Sequence, residues 1–286
     1  MIRFVKSHGL GNDYLVLDAG DLTAPLAPAA VRRLCDRHRG VGADGVLVRV
    51  GSTVADYGVR IFNPDGSEAE KSGNGLRIFA KWLVEHAGAP RAFRVETRAG
   101  VVACACRLVG GRVADVAVEM GRASFGAADV PTTLAIDEAV EAPLAVGGER
   151  LAVTALSVGN PHCVIFAPAL DDERLRRLGP LVERHPAFPR RTNVQLAVVA
   201  APDRVAIRIW ERGAGWTLAS GSSACAAAAA AVRTGRCAPG RIAVAMPGGE
   251  LAVDVRADWS LRLEGPAEEV CAGTLSAELV AALGIG

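Results

Sequence analysis

Two stretches of the 286-residue chain set a serine and a glycine in front of strong helix formers: "KSGNGLRIFAKW" at residues 71–82 and "ASGSSACAAAAA" at residues 219–230. The first N–H groups of a helix have no partner inside it and carry the positive end of its dipole. Small residues at that point leave a cradle for an anion. A carboxylate held from two such helix starts would have Ser72 and Ser220 on either side of the carbon that bears it. A serine at a helix start is also a favoured N-cap, the plain reading of either one alone.

The two stretches are not the only matched pair. Gly11-Asn12 recurs as Gly159-Asn160, "RIFN" at 60–63 as "RIWE" at 208–211, and Ser72-Gly73 as Ser220-Gly221. All three pairs are 148 positions apart. A shared offset in segments of one predicted type argues for an internal duplication. Two copies would face each other across a pseudo-twofold axis, with matching loops meeting in one cleft. The same offset gathers polar residues there: Asn12, Asn160, Asn63 and the pair Glu211-Arg212, with Asn193 in "RRTNVQL". Arginine offers a carboxylate a two-pronged fork, and Glu and Asn oxygens accept from an ammonium. The set suits an amino acid head group. His162 in "GNPHCV" and His8 in "SHGLGND" are further titratable candidates, and each reads equally as a structural histidine.

These residues need elements to hold them. "DYLVLD", "DGVLVRV" and "YGVRIFN" read as strands, "PAAVRRLCDRH" as a helix, and a second helix follows Ser72 to about residue 85. Three strands separated by glycine turns fill residues 92–120. Residues 122–149, rich in Ala, Pro, Thr and Gly, read as a linker. The pattern then restarts, with helices near 171–185 and from 221. The fold class is therefore α/β (α+β), with two pseudo-symmetric domains.

Composition sets the bounds. Half the residues are hydrophobic and the net charge is +1, so nucleic acid is not an expected partner. No apolar run approaches the ~18 residues of a membrane helix, and the first residues lack a signal-peptide pattern. Seven cysteines, an odd number without a CxxC pair, point to reduced thiols in a cytoplasm. Cys104 and Cys106 share one strand face and read as core. No histidine spacing supports a metal site.

At these residues the chain resembles the diaminopimelate epimerases. The matches are "HGLGNDYLVLD", "GVGADGVL", "RIFNPDGSEAEKSGNGLRIFA", "SVGNPHCV", "RRTNVQL" and "IWERGAGWTLASGSSACAAA", in family order, with "PGG" of "MPGGEL" beyond them. The resemblance implies two similar domains, residues 1–121 and 122–273, each wrapping mixed strands round a central helix, with a tail at 274–286 returning to the first. It implies a small amino acid substrate, LL- and meso-diaminopimelate, interconverted for lysine and peptidoglycan precursor synthesis. It implies no cofactor, neither pyridoxal phosphate nor metal, and a homodimer. In the family two cysteines flank the α-carbon, one as thiolate base and one as thiol acid. The resemblance places them at Ser72 and Ser220. It places substrate-binding residues at Asn12, Asn63, Gly73, Asn74, Asn160, Asn193, Glu211, Arg212, Gly221 and Ser222, with the asparagines and Arg212 holding the distal end.

Serine in both places changes the chemistry. A thiol ionises near pH ~8.5, and a helix N-terminus brings it into the working range. An alcohol ionises far less readily, so it serves as a donor or a relay more easily than as a resting base. Lys71 is the nearest charge in sequence. Three outcomes stay open: a serine epimerase with a relay; an epimerase with its cysteines replaced, which traps substrate; or a descendant with other chemistry, such as another racemase, a dehydratase or a silent binder.

Overall fold

The computed structural model describes residues 1–135 and 137–286. They form two compact units, Met1–Val118 with Gly265–Gly286, and Glu119–Glu264.

The first unit opens with a hairpin of β1 (Arg3–Gly9) and β2 (Asn12–Asp18). Its two-residue turn, Leu10-Gly11, has φ of 57° and 90°. A type I′ turn needs that left-handed backbone at both positions, which glycine adopts without strain. After α1 (Pro28–Cys35), β3 (Val46–Val50) runs parallel to β2. Strand β4 (Tyr57–Phe62) turns back along β3, and the short β5 (Glu68–Ala69) along β4. Helix α2 (Gly73–His86) then crosses to β6 (Ala92–Thr97), parallel to β4. Strands β7 (Gly100–Val109) and β8 (Arg112–Arg122) follow antiparallel.

The second unit repeats this order. It contains β9 (Ala142–Val146), β10 (Glu149–Ser157), β11 (Pro161–Phe166), α3 (Asp172–Glu183), β12 (Asn193–Ala201), β13 (Arg204–Glu211) and β14 (Gly215–Thr217). Helix α4 (Gly221–Arg233) and the antiparallel run β15 (Gly240–Met246), β16 (Gly249–Val255) and β17 (Ser260–Gly265) complete it. The chain ends in the first unit with β18 (Glu268–Thr274), antiparallel to β1, and α5 (Ala277–Leu283).

The duplication holds at the level of register. Pairs Val46↔Phe62 and Ile61↔Ala69 recur as Val194↔Trp210 and Ile209↔Thr217, each residue 148 positions on. The parallel offset of Leu15↔Val46 recurs in Cys163↔Val194. Register fixes which face each side chain takes, so matched registers put matched residues on matched faces. One register differs. Gly9↔Asn12 becomes Ser157↔Pro161, so the second turn is a residue longer and Asn160 sits in the loop while Asn12 sits in a strand.

Residues 122–149 do not form the expected linker. Ile136 lies outside the described residues, but Ala123, Phe125, Ala127, Val130 and Ala139 are buried, and β9 buries Ala142, Leu144 and Val146 against β10. Small and turn-forming residues dominate the composition, but the alternation of buried and exposed positions makes β9 an ordinary half-buried strand.

Each unit surrounds one helix. Leu76, Ile78, Phe79, Ala80 and Leu83 of α2 are buried, and α2 packs against β1, β2 and β7. In α4 all eight residues from 224 to 231 are buried, seven of them alanine, against β10, β11, β12, β13, β15 and β16. A helix that is apolar all round belongs inside. Alanine supplies high helix propensity and lets strands approach closely from several sides.

Candidate functional site

Ser72 is the N-cap of α2, with extended backbone at φ −139°. Its Oγ accepts a hydrogen bond from Gly75 N at 3.0 Å and lies 3.2 Å from Tyr14 Oη. One N–H group of the cradle is therefore already taken by the serine itself. The Tyr14 ring fits because residue 45 is glycine. A Cβ there would lie 2.5 Å from Tyr14 Cε1 and 2.5 Å from Phe62 O.

The next residues of α2 are fixed from behind. Asn74 Nδ2 donates to Asn12 Oδ1 at 3.1 Å, and Asn74 Oδ1 accepts from Arg77 Nη2 at 2.9 Å. Arg77 is fully buried and also donates to Gly73 O and Pro266 O, both at 3.2 Å. A buried cation needs such partners. Asn12 Nδ2 donates to Asp44 Oδ2 at 3.1 Å, and Arg37 bridges Asp44 and Asp13 at 2.8 Å each. Burial pushes the Asp13 carboxyl up, but hydrogen bonds from Arg37, Lys6 and Asp44 outweigh it and hold it at about 2. The two asparagines thus rest on a charged network in which Asp13 is buried and Arg37 exposed. Asn63 Nδ2 donates to Ser67 Oγ at 2.9 Å, across the turn that Asn63 opens. His8 braces the first hairpin, its Nδ1 accepting from Gly11 N at 3.4 Å.

Ser220 is the N-cap of α4, with φ −148°, and makes no side-chain cap bond. Its Oγ lies 3.5 Å from Ser222 Oγ, and the residue is buried together with Gly221. Asn193 ties two segments together: Nδ2 donates to Pro161 O and Oδ1 accepts from Arg212 N, each at 2.9 Å. Glu211 ends β13 half-buried. The Arg212 guanidinium is exposed and donates to Arg190 O at 3.2 Å. The buried Glu183 accepts from Trp210 Nε1 at 2.8 Å and Gly213 N at 3.1 Å, which fixes the turn that carries both residues.

His162 is fully buried on β11, and its Nε2 lies 3.0 Å from Asn160 Oδ1. Burial lowers its pKa to about 3, and the Arg212 charge adds to that shift. It is neutral at pH 7. Three buried cysteines are held as thiols. Burial first of all raises Cys104 to about 12, and Cys106 and Cys35 to about 11. Elsewhere, Glu85, His86 and Glu269 offer ligand atoms within 4.8 Å of one another, but Glu85 is paired with Lys81 and Arg112, and Glu269 with His86.

The family profile of diaminopimelate epimerase matches residues 4–126 and 154–270. The chain belongs to the diaminopimelate epimerase family. A diaminopimelate epimerase of Synechocystis sp. is 45% identical over 278 residues, spanning 95% of this chain and 98% of that one. Diaminopimelate epimerase 2 of Nostoc sp. is 42% identical over 282 residues, 98% of each chain. Among solved structures, a hydroxyproline epimerase from Agrobacterium vitis shares the fold, with a TM-score of 0.71 at 16% identity over 96% of this chain and 92% of that one.

Family motifs lead to the serines, asparagines, Glu211 and Arg212, but not to the residues that hold them. Tyr14, Arg77 and Gln195 lie inside the motifs without being marked by them, and Glu183 lies outside. The 148-residue offset is the signal that finds two of them. Tyr14 corresponds to His162, and Gln195 to Leu47. Arg77 and Glu183 carry no such mark, because a buried charge is visible only once its shell is known.

Proposed function

We propose that the chain interconverts LL- and meso-diaminopimelate by exchanging the α-proton, without pyridoxal phosphate or metal, in a reducing cytoplasm. Near-full-length identity of 42–45% to diaminopimelate epimerases supports the reaction. The observation that carries the assignment of the site is that each unit starts its central helix with a serine N-cap followed by a buried glycine. Ser72 and Ser220 are the groups that act on the α-carbon. The first-turn N–H groups of α2 and α4, with Asn74 and Ser222, take the α-carboxylate. Asn12, Asn160 and Asn193 orient the substrate, while Glu211 and Arg212 meet its charged groups.

An alcohol is a poor base at neutral pH, so the α-proton leaves slowly and the rate climbs with pH. The test is incubation with LL-diaminopimelate in deuterated water. Deuterium at the α-carbon together with the meso isomer supports the assignment. Saturable binding with no deuterium at any pH up to 10 would make the chain a binder and overturn it.

A further inference from the structure

Behind Asn160 lies a buried chain of polar groups that no part of the proton transfer uses. Strands β11 and β12 run parallel with His162 beside Asn193 and Val164 beside Gln195, so His162 and Gln195 share a face. Both are fully buried. Gln195 Nε2 donates to Ser223 Oγ, in the first turn of α4, at 3.0 Å. In that orientation Gln195 Oε1 and His162 Nδ1 are both buried without a partner. Such atoms are costly in a protein interior.

A half-turn of the Gln195 amide exchanges two groups of nearly equal size. The oxygen then accepts from the Ser223 hydroxyl, and Nε2 donates to His162 Nδ1. That rotation turns a group of the complementary kind toward each of the two unpartnered atoms. The neutral imidazole must then carry its proton on Nε2, which donates to Asn160 Oδ1 across the observed 3.0 Å. Asn160 sits half-buried in the turn between β10 and β11, and its Nδ2 has no partner among the described residues. That N–H is what it offers a ligand.

We propose that Ser223, Gln195 and His162 set the polarity of Asn160, so that it presents an N–H donor and selects a substrate carboxylate over an ammonium at that point. Gln195 is a positioning residue. The opposite wiring, with the proton on Nδ1, would turn the Asn160 oxygen outward and favour an ammonium. The first unit has no such chain, since Leu47 and Gly75 stand where Gln195 and Ser223 do.

The inference rests on the reading of Asn160 as a diaminopimelate contact, and its test separates the two. Long-range proton–nitrogen spectra of the full chain labelled with ¹⁵N-histidine, with His162 assigned from His162→Gln, report which ring nitrogen is protonated. The parent should carry the proton on Nε2 from pH 8 down to 5. Gln195→Glu offers only acceptors, so the proton should move to Nδ1, and affinity for diaminopimelate measured by calorimetry should fall about tenfold. If Gln195→Glu does not fold, Gln195→Leu removes the donor and should give a mixture of tautomers. An Nδ1 proton in the parent, or one unmoved in the Gln195 variants, overturns the proposal. An Nε2 proton that moves as stated in a chain that does not bind diaminopimelate leaves the hydrogen-bond chain standing and removes the assigned ligand.

Discussion

The first turns of α2 and α4 are the same piece of fold with different surroundings. Both N-cap serines have extended backbone, within 10° of each other in φ. Ser72 Oγ is engaged twice, by Gly75 N and by Tyr14. Among the described residues Ser220 Oγ has only Ser222, at 3.5 Å. The residues that make the difference are matched by the 148-residue offset. Tyr14 stands opposite His162, Gly75 opposite Ser223, Leu47 opposite Gln195, and Gly45 opposite Asn193. A duplicated scaffold fixes where two groups stand, through register and helix placement. What each group can do is then set by neighbours that diverge freely, because each unit buries them separately. The first serine is braced as a cap, whereas the second makes no side-chain cap bond.

The largest test of this contrast is chemical. Changing both Ser72 and Ser220 to Cys restores a group that ionises at a helix N-terminus with little change in volume. α-Proton exchange on diaminopimelate should rise by at least about 10²-fold, the usual scale of a well-placed acid or base. The single changes should differ. Ser220→Cys gives a thiol with no cap bond to lose, while Ser72→Cys weakens the bond to Gly75 N. Each alone should promote exchange more than inversion, because inversion needs a donor on the far face. Deuterium content and epimer ratio for the four proteins decide it. A double variant no faster than the parent, yet still binding diaminopimelate, would show that the neighbours have diverged beyond repair by thiols.

The second test uses His162, whose match in the first unit is Tyr14. Its pKa is lowered by burial from 6.5 to about 3. The unfolded chain therefore takes up the proton first. The stability it contributes is complete above pH 6.5 and is lost as pH falls toward 3, by as much as ~1.4 kcal/mol per unit. Asp13, held at about 2, adds a loss of the same sign only below about pH 4. Urea midpoints between pH 7.5 and 4.5 should fall for the parent and fall much less for His162→Gln. Equal slopes would mean that His162 is hydrated in solution.

How much of this was legible beforehand divides along the same line. Three residue pairs at one offset were enough to announce two alike units, because duplication preserves the spacing between elements. The helix starts at Ser72 and Ser220 were legible from capping chemistry and small residues. The linker at 122–149 was misread, since composition reports turn formers but not the alternation that buries Leu144 and Val146. The brace on Ser72 was not legible at all. It joins Tyr14 to a residue 58 positions away, and it depends on Gly45 leaving room for the ring.

A third test concerns the charge that only the second unit carries. Arg212 corresponds to Pro64, so the guanidinium has no twin. Arg212→Lys keeps the charge and removes the planar fork. Diaminopimelate should bind more weakly by about 1–3 kcal/mol, the range for a hydrogen bond to a charged group. Lysine, which lacks the second carboxylate, should lose less than diaminopimelate does. Calorimetry with both ligands reads the difference, and an equal loss for the two would move Arg212 away from that carboxylate.

The smallest effect bears most directly on the two serines. In Ser72→Ala the Gly75 N–H loses its acceptor and the Tyr14 hydroxyl loses a partner within 3.2 Å. Loss of a side-chain N-cap costs about 1 kcal/mol. In Ser220→Ala no cap bond exists to be lost, and only the 3.5 Å contact with Ser222 goes. The change there should stay within about 0.5 kcal/mol, the scale of substitutions away from such features. Tyr14→Phe removes the other half of the Ser72 brace and leaves the Gly75 bond intact. Urea denaturation of the three variants at pH 7.5 measures all of this on one scale. A stability loss in Ser220→Ala equal to that in Ser72→Ala would mean that Ser220 caps α4 in solution as firmly as Ser72 caps α2, and the contrast between a committed and an uncommitted hydroxyl would have to be abandoned.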